Sequence, residues 1–398
     1  MILELHVIQN VAPSNLNRDD TGAPKDAIFG GYRRARVSSQ SWKRAIRNSF
    51  ASDNLLPKDQ IAIRTKRLME RMQKDLKSEE RSAADAIRVA EALLQGLEIA
   101  RDSKTTDEEP LTQYLLYLGE TEVTRLVELA NENWDVLLAA IGTEGKKAKK
   151  DAKKNIPPEV QAAASQVLDG GKAADLALFG RMLADLPERN IDGAAQVAHA
   201  ISTHAVEMEF DFYTAVDDLN EREDTGAGMM GTVEFNSATF YRYTNVDVGQ
   251  LLRNLGGDQD IATATIRAYA QAFLTSIPTG KQNSFAAQNL PSFAVAVIRE
   301  TGRWSLANAF VNPVSNLDQS EEDKELRRIS DLVGNSIKEL VRYWKRLTAQ
   351  YGDEGIVALP VLMDQEYVPV LNGAFDNPTS GMNAWIDEIV ASLESVEG

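Results

Sequence analysis

Residues 29–50 carry six basic side chains, Arg33, Arg34, Arg36, Lys43, Arg44 and Arg47, and no acidic one. Arginine and lysine hold phosphates electrostatically, and the open N–H groups at a helix start add donors to the same ligand. The segment RRARVSSQSWKRAIRNSF reads as helical, with Ser38 or Ser39 as its cap and Trp42, Ala45 and Ile46 on its apolar face. Ser38, Ser39 and Gln40 then offer hydroxyls and an amide to phosphate oxygens. Lys43 and Arg47 follow one turn apart on the same side, with Arg44 next to them. The chemistry this pattern suits is polyanion binding. The plainer alternative is an ordinary solvated basic helix.

Two acidic pairs, Asp19-Asp20 and Asp217-Asp218, have the oxygens a hard cation wants, as in a metal-dependent nuclease. Neighbouring acids on a strand point to opposite faces, however, and in loops they cap turns, which favours a structural role. Residues 207–224 hold eight acids and one arginine, so the second pair reads as solvated or salt-bridged. Of the three histidines, His6, His199 and His204, the last two stand about 140° apart on a helix, and HExxH is absent. With no cysteine, a Cys-ligated zinc or iron–sulfur site is excluded, and no metal or other cofactor is expected. Neither a nucleophile elbow nor a P-loop occurs, so no enzyme emerges. Phe210, Phe212 and Val216 share one strand face and Tyr213 takes the other. Exposed, they would stack on bases or wedge between them; buried, they are core. The residues alone leave that open.

The elements that must position these groups follow from periodicity. Residues 2–8 read as a strand, the Pro-, Asn-, Asp- and Gly-rich stretch after them as a long ordered loop, and 55–180 as helical throughout. Segment 191–204 is a short helix or strand. Residues 205–243 form a long hairpin around a glycine-rich tip at 220–231, with acids on its arms that would repel phosphates. A helix is expected over 259–276, a loop over IPTGKQNSF, a strand over 292–300, a long helix over 322–350, an extended stretch over 356–371 and a last helix over 379–394. Without the helical insertion this is an α+β sandwich of two layers.

The composition, 43% hydrophobic and 26% charged, is that of a folded globular chain. The net charge is −16, yet residues 29–50 carry +6 and the rest −22, so one face can hold a polyanion while another keeps the protein in solution. The first ten residues carry one acid and no base, unlike a secretory signal, and no uncharged apolar run reaches a membrane-spanning length. A cytoplasmic chain is expected, with no membrane partner.

The stretch LNRDDTGAPKDAIFGGYRRARVSSQSWKRAIR (16–47) resembles the N-terminal signature of the CasC family, the repeated backbone subunit of the type I-E CRISPR complex Cascade. GRM (180–182), AHAISTHAVEMEFDFYTAVDDL (198–219), FYRY (240–243), GKQNSFAAQN (280–289) and SLANAF (305–310) continue the resemblance in order. It implies a right-hand shape: an RRM-like (ferredoxin-like) palm at 1–54, completed by 181–204 and 244–398, a helical finger lobe at 55–180, and a protruding β-hairpin thumb at 205–243.

It also implies a non-catalytic scaffold in antiviral defence. Copies stack along crRNA, each thumb displaces a guide base, and guide segments stay free to pair with target DNA. The implied partners are crRNA, target DNA, further copies of the chain, and the crRNA endonuclease, cap, large and small subunits of the complex. The matching RNA-contact positions are Arg18, Lys25, Ser38, Gln40, Lys43, Arg44 and Arg47, with Ser39 beside them. Met182 falls near the kinked nucleotide, Phe212, Tyr213, Thr214 and Val216 on the thumb, and Lys281 and Gln282 in a loop near the RNA. The resemblance favours an exposed hairpin. Departures are the thumb tip DTGAGMMG (224–231) and the lysine run 146–154, a linker or a DNA contact. The alternative function is a metal-dependent ribonuclease of the type III backbone kind, using Asp19 or Asp20.

Overall fold

The structure is a computed structural model and describes residues 1–78, 81–106, 109–141, 155–215, 229–315 and 330–395. Twelve strands occur among them: β1 (Ile2–Ser14), β2 (Asp26–Phe29), β3 (Tyr32–Val37), β4 (Ala62–Thr65), β5 (Leu116–Gly119), β6 (Ala195–Val197), β7 (Ala200–Ser202), β8 (Glu209–Ala215), β9 (Met229–Asp247), β10 (Phe293–Arg299), β11 (Ile356–Ala358) and β12 (Val361–Met363). The chain divides into two compact units. Residues 1–50, 196–247 and 266–398 form the first, and residues 51–195 and 248–265 the second.

The first unit is built on one sheet in the order β11-β10-β1-β9-β7-β3-β2, with β12 paired to β10, and β6 and β8 to β9. Antiparallel pairs run along that order from β11 to β2. Every residue of β10 (FAVAVIR) is buried, as a strand covered on both faces must be. On one face the helix Leu332–Tyr351 lays Ile337, Leu340, Val341 and Trp344 against Phe293, Val295 and Val297. A second core gathers Val11, Val37, Ala200, Ala238 and Phe240 around Trp42 of helix α1 (Ser39–Ser52).

Two buried ionic knots fix these layers. Arg242 lies 3.7 Å from the Trp42 ring centroid and 4.4 Å from that of Phe273, and donates to Gln9 Oε1 at 2.6 Å. Burial pushes its guanidinium down to about 9, and the ring faces stabilise its positive charge. Glu4 accepts from Tyr243 Oη at 2.7 Å and from the Trp304 N–H at 2.5 Å, with Arg299 Nε 3.1 Å away. The 304–310 segment, including SLANAF, is thereby tied to the sheet through Glu4, and through Tyr241 Oη, which accepts from Leu306 N–H at 2.8 Å.

The second unit packs the helices Leu68–Leu76, Ala83–Gly96, Glu120–Glu132, Trp134–Ala140 and Pro158–Val167 around Met72, Leu93, Leu126 and Leu137. It is not helical throughout, as the periodicity of 55–180 led one to expect. Ala62–Thr65 and Leu116–Gly119 pair as a small sheet, and at four residues each they are too short to stand out against amphipathic neighbours. Other expectations change as well. β1 runs on to Ser14 and 26–29 is a strand, both inside the expected loop, and 32–37 is a strand leading into the helix, which begins at Ser39 behind the Ser38 cap as expected. The extended 356–371 stretch ends as a 3₁₀ turn, Gln365–Leu371, and the loop after Thr275 contains the short helix Gln282–Phe285. Segment 191–204 holds two short strands. The hairpin is present: β8 pairs antiparallel with the start of β9, Glu209 opposite Phe235 through Ala215 opposite Met229. Val216, Asp217-Asp218, the lysine run 146–154 and residues 322–329 lie outside the described residues.

Candidate nucleic-acid interface

The loop between β1 and β2 is held by two asparagines. Asn17 Oδ1 accepts the Ser38 N–H at 2.8 Å and its carbonyl accepts the Lys25 N–H at 2.9 Å, so loop and helix start are one piece. Asn15 Nδ2 donates to the carbonyls of Gly22 at 3.0 Å and Glu234 at 2.9 Å, tying the loop tip to the hairpin base. Asp19 folds the tip: its Oδ1 accepts from Thr21 Oγ1 at 2.7 Å, Thr21 N–H at 2.9 Å and Ala23 N–H at 3.0 Å. Those bonds, the hydroxyl first, hold its carboxyl below the usual range. A third wall comes from Gly280, where a β-carbon would stand 2.2 Å from the Leu16 carbonyl oxygen, so only glycine fits.

These pieces enclose an open cavity of about 560 Å³ lined by Arg18, Asp19, Asp20, Ser41, Arg44, Asn48 and Thr279 among others. Arg18 and Arg44 are exposed there. At 100° per residue, positions 41, 44, 45 and 48 of α1 face this cavity side, and 40, 43 and 47 lie round the helix from it. Lys43 and Arg47 thus share one side of the helix, as their spacing predicts, and Arg44 turns away from them to the cavity. Gln40 is exposed, and Lys43 and Arg47 are half-buried. Burial pushes the Lys43 ammonium down.

A second basic group sits at the helix start. Arg36 Nη1 and the Ser39 N–H both lie near His199 Nδ1, at 3.3 and 3.4 Å. Burial, then Arg36 and Lys25, push the His199 imidazole down, which keeps it neutral with Nδ1 as acceptor. Ser38 is buried and its hydroxyl caps the helix, accepting from Ser41 N–H at 3.3 Å. Its role is to build the site. The acid-free window is less free than it reads: Arg33 pairs with Asp26 of β2, and Arg34 is fully buried, donating to the carbonyls of Ser202, Thr203, Phe310 and Val311. Asn15 and Asn17 are not singled out from the sequence, Arg36 is counted there only as part of the basic window, and His199 is weighed only as a metal ligand. A neighbouring cluster of Arg36 and Lys25 around one histidine is visible only in space.

On the hairpin, Phe210, Phe212 and Tyr213 are 66%, 63% and 42% exposed. Thr214 is exposed too. Tyr213 lies opposite Gly231, where a β-carbon would meet its ring at 2.4–2.8 Å, so the ring covers the glycine. Phe235 at the hairpin base meets Phe285 in a tilted pair, 5.7 Å between centroids, in the loop that carries Lys281 and Gln282. Lys281 is half-buried with a left-handed backbone, φ 51°. Gln282 Nε2 donates to the Pro278 and Ala287 carbonyls, both at 3.2 Å, and so closes that loop.

Met182 belongs to the second unit and is 81% exposed. Its neighbour Arg181 is buried with Glu122, Nη1 to both carboxylate oxygens at 2.9 Å, and donates to the carbonyls of Leu168 and Arg189. The GRM motif thus anchors an exposed thioether on a buried ion pair. Among the described residues no group of three or more His, Asp or Glu comes together, and no helix is long and apolar enough to cross a membrane.

Comparison with known proteins bears on the same residues. A chain of a "CRISPR RNA-guided surveillance complex, pre-nicking" superposes with a TM-score of 0.82 at 32% identity, covering 98% of this chain and 100% of that one. A chain of a "CRISPR RNA-guided surveillance complex" gives 0.72 at 26% identity, again over 98% and 100%. Among curated proteins none matches. The family model of the CT1975-like proteins (Cas_CT1975) matches residues 3–387, nearly end to end, and the chain belongs to that family, where its CasC resemblance pointed.

Proposed function

We propose that the chain is the repeated, non-catalytic backbone subunit of a type I-E Cascade complex, which lines up copies along crRNA in the cytoplasm. The observation that carries this reading is the cavity bearing Arg18 and Arg44, joined to the Lys25–Arg36–His199 group by the loop that Asn15 and Asn17 hold. Arg18 and Lys25 on the loop, with Arg44 and Arg36 on the elements beside it, form a row of cations that suits a phosphate backbone better than a single anion, with Asp19 and Asp20 in the same cavity lining. The strand order β10-β1-β9-β7 also supports an RRM-like palm, because α1 follows β1 and the helix residues 266–275 precede β10, as in a βαββαβ unit. The exposed Phe210 and Phe212 stand among Glu209 and Asp211, which repel phosphates, so the hairpin meets bases. Pairing with target DNA then reads sequence while the protein holds the backbone.

Asp19, the residue a ribonuclease would need, has one carboxylate oxygen committed to three donors of its own loop, which favours the scaffold. The test is expression with the neighbouring operon genes and a CRISPR array. Uniform RNA matching the array, recovered uncut with the protein, is the expected result. Protein free of nucleic acid with every partner present would overturn it.

A further inference from the structure

Away from the loop cavity, the first unit has a larger groove of about 930 Å³ between the helix Leu332–Tyr351 and the segment 308–315. Lys338, Arg342 and Arg346 line it at spacings of four, so three cations recur at about 6 Å along the helix axis. Among the described lining residues Glu339 is the one acid and pairs with Arg342 at 2.8 Å, while Lys338 Nζ donates to Ser330 Oγ at 3.3 Å, so the described lining carries three cations against one acid. Tyr343 lies between the two arginines, 5.6 Å from its ring centroid to the Arg346 guanidinium carbon. The facing wall offers Asn308, Asn312 and Ser315.

That wall is built to stay in place. Arg34 Nη2 holds the Phe310 and Val311 carbonyls at 2.7 and 3.2 Å, Val314 N–H donates to Thr203 O at 3.0 Å, and Asn335 Nδ2 donates to Ser315 O at 2.9 Å. Arg34, drawn from the basic window near the first cavity, therefore shapes the second groove. Evenly spaced cations, neutral polar donors and one aromatic ring on a fixed wall are the pattern that tracks a single strand without reading its bases.

We propose that this groove binds the phosphate backbone of a second single strand of nucleic acid, apart from the one held at the loop cavity. Only the word "second" rests on the guide-binding reading; the binding itself does not. The test uses the full chain and a fluorescein-labelled oligothymidylate, followed by anisotropy across a salt series. In an R18Q/R44Q background, adding K338Q/R342Q/R346Q should weaken binding about tenfold or more and lower the salt slope by about 2, for three lost phosphate contacts. Unchanged affinity and slope would overturn the proposal. So would an equal loss in K338R/R342K/R346K, which keeps every charge. If R18Q/R44Q alone changes nothing, the guide-binding reading fails and the groove stands.

Discussion

Arg18 and Arg44 reach the cavity from an exposed loop and an exposed helix face, so neutralising them removes charge without disturbing the core. Arg18→Gln with Arg44→Gln should weaken guide binding about tenfold or more and lower the salt slope by about 1.4, measured by filter binding across a salt series. Lys43 and Arg47 are half-buried, and reversing their charge would disturb packing along with binding. His6 gives an independent test of the core. Burial, then Arg299, pushes its imidazole down to about 3 from 6.5, while Tyr241 Oη sits 2.9 Å from its Nδ1. The unfolded chain takes up that proton below about 6.5 and the folded chain does not, so stability falls as pH drops through that window. Glu4, raised by burial, acts in the opposite sense and gains stability as pH falls towards 4.5. Between pH 6.5 and 4.5 the Tm of His6→Gln should therefore fall less than that of the unmodified chain; equal slopes would mean the imidazole protonates in place. Residues in charged runs were legible, since charge density survives in the sequence. The roles of Asn15, Asn17 and His199 were not, because each works through hydrogen bonds to residues outside its own element that leave no periodic trace.

The hairpin makes its own prediction at the scale of an element. Phe210 and Phe212 are mostly exposed, so Phe210→Ala with Phe212→Ala should change stability by no more than about 0.5 kcal/mol in a melt. Chemical probing of the bound guide should at the same time lose its regular pattern of displaced bases; an unchanged pattern would return these rings to ornament. In the second unit Arg181→Gln leaves Glu122 buried without its cation and should cost about 3–5 kcal/mol, read as loss of cooperative melting. Apolar runs and amphipathic periods made β10, the hairpin and the long helices readable. β3 was hidden because YRRARV reads as polar, although Arg34, Ala35 and Val37 are buried there. Its buried arginine donates through both Nη atoms to four carbonyls distant in sequence, which no local pattern foretells.

For the whole molecule, a net charge of −16 coexists in the first unit with a groove whose described lining carries three cations against one acid, and with a loop cavity where Arg18 and Arg44 are matched by Asp19 and Asp20, so attraction for a polyanion is local and not a property of the whole surface. The chain order of motifs made the family legible. The proposed repeat is not written in one chain, because stacking would be a property of several copies on one RNA. Reconstitution on guides of increasing length, weighed by native mass spectrometry, tests that directly. The copy number should rise in equal steps with guide length, and the RNA should remain intact in Mg²⁺. A single copy at every length, or regular cuts that vanish in Asp20→Ala, would contradict the scaffold.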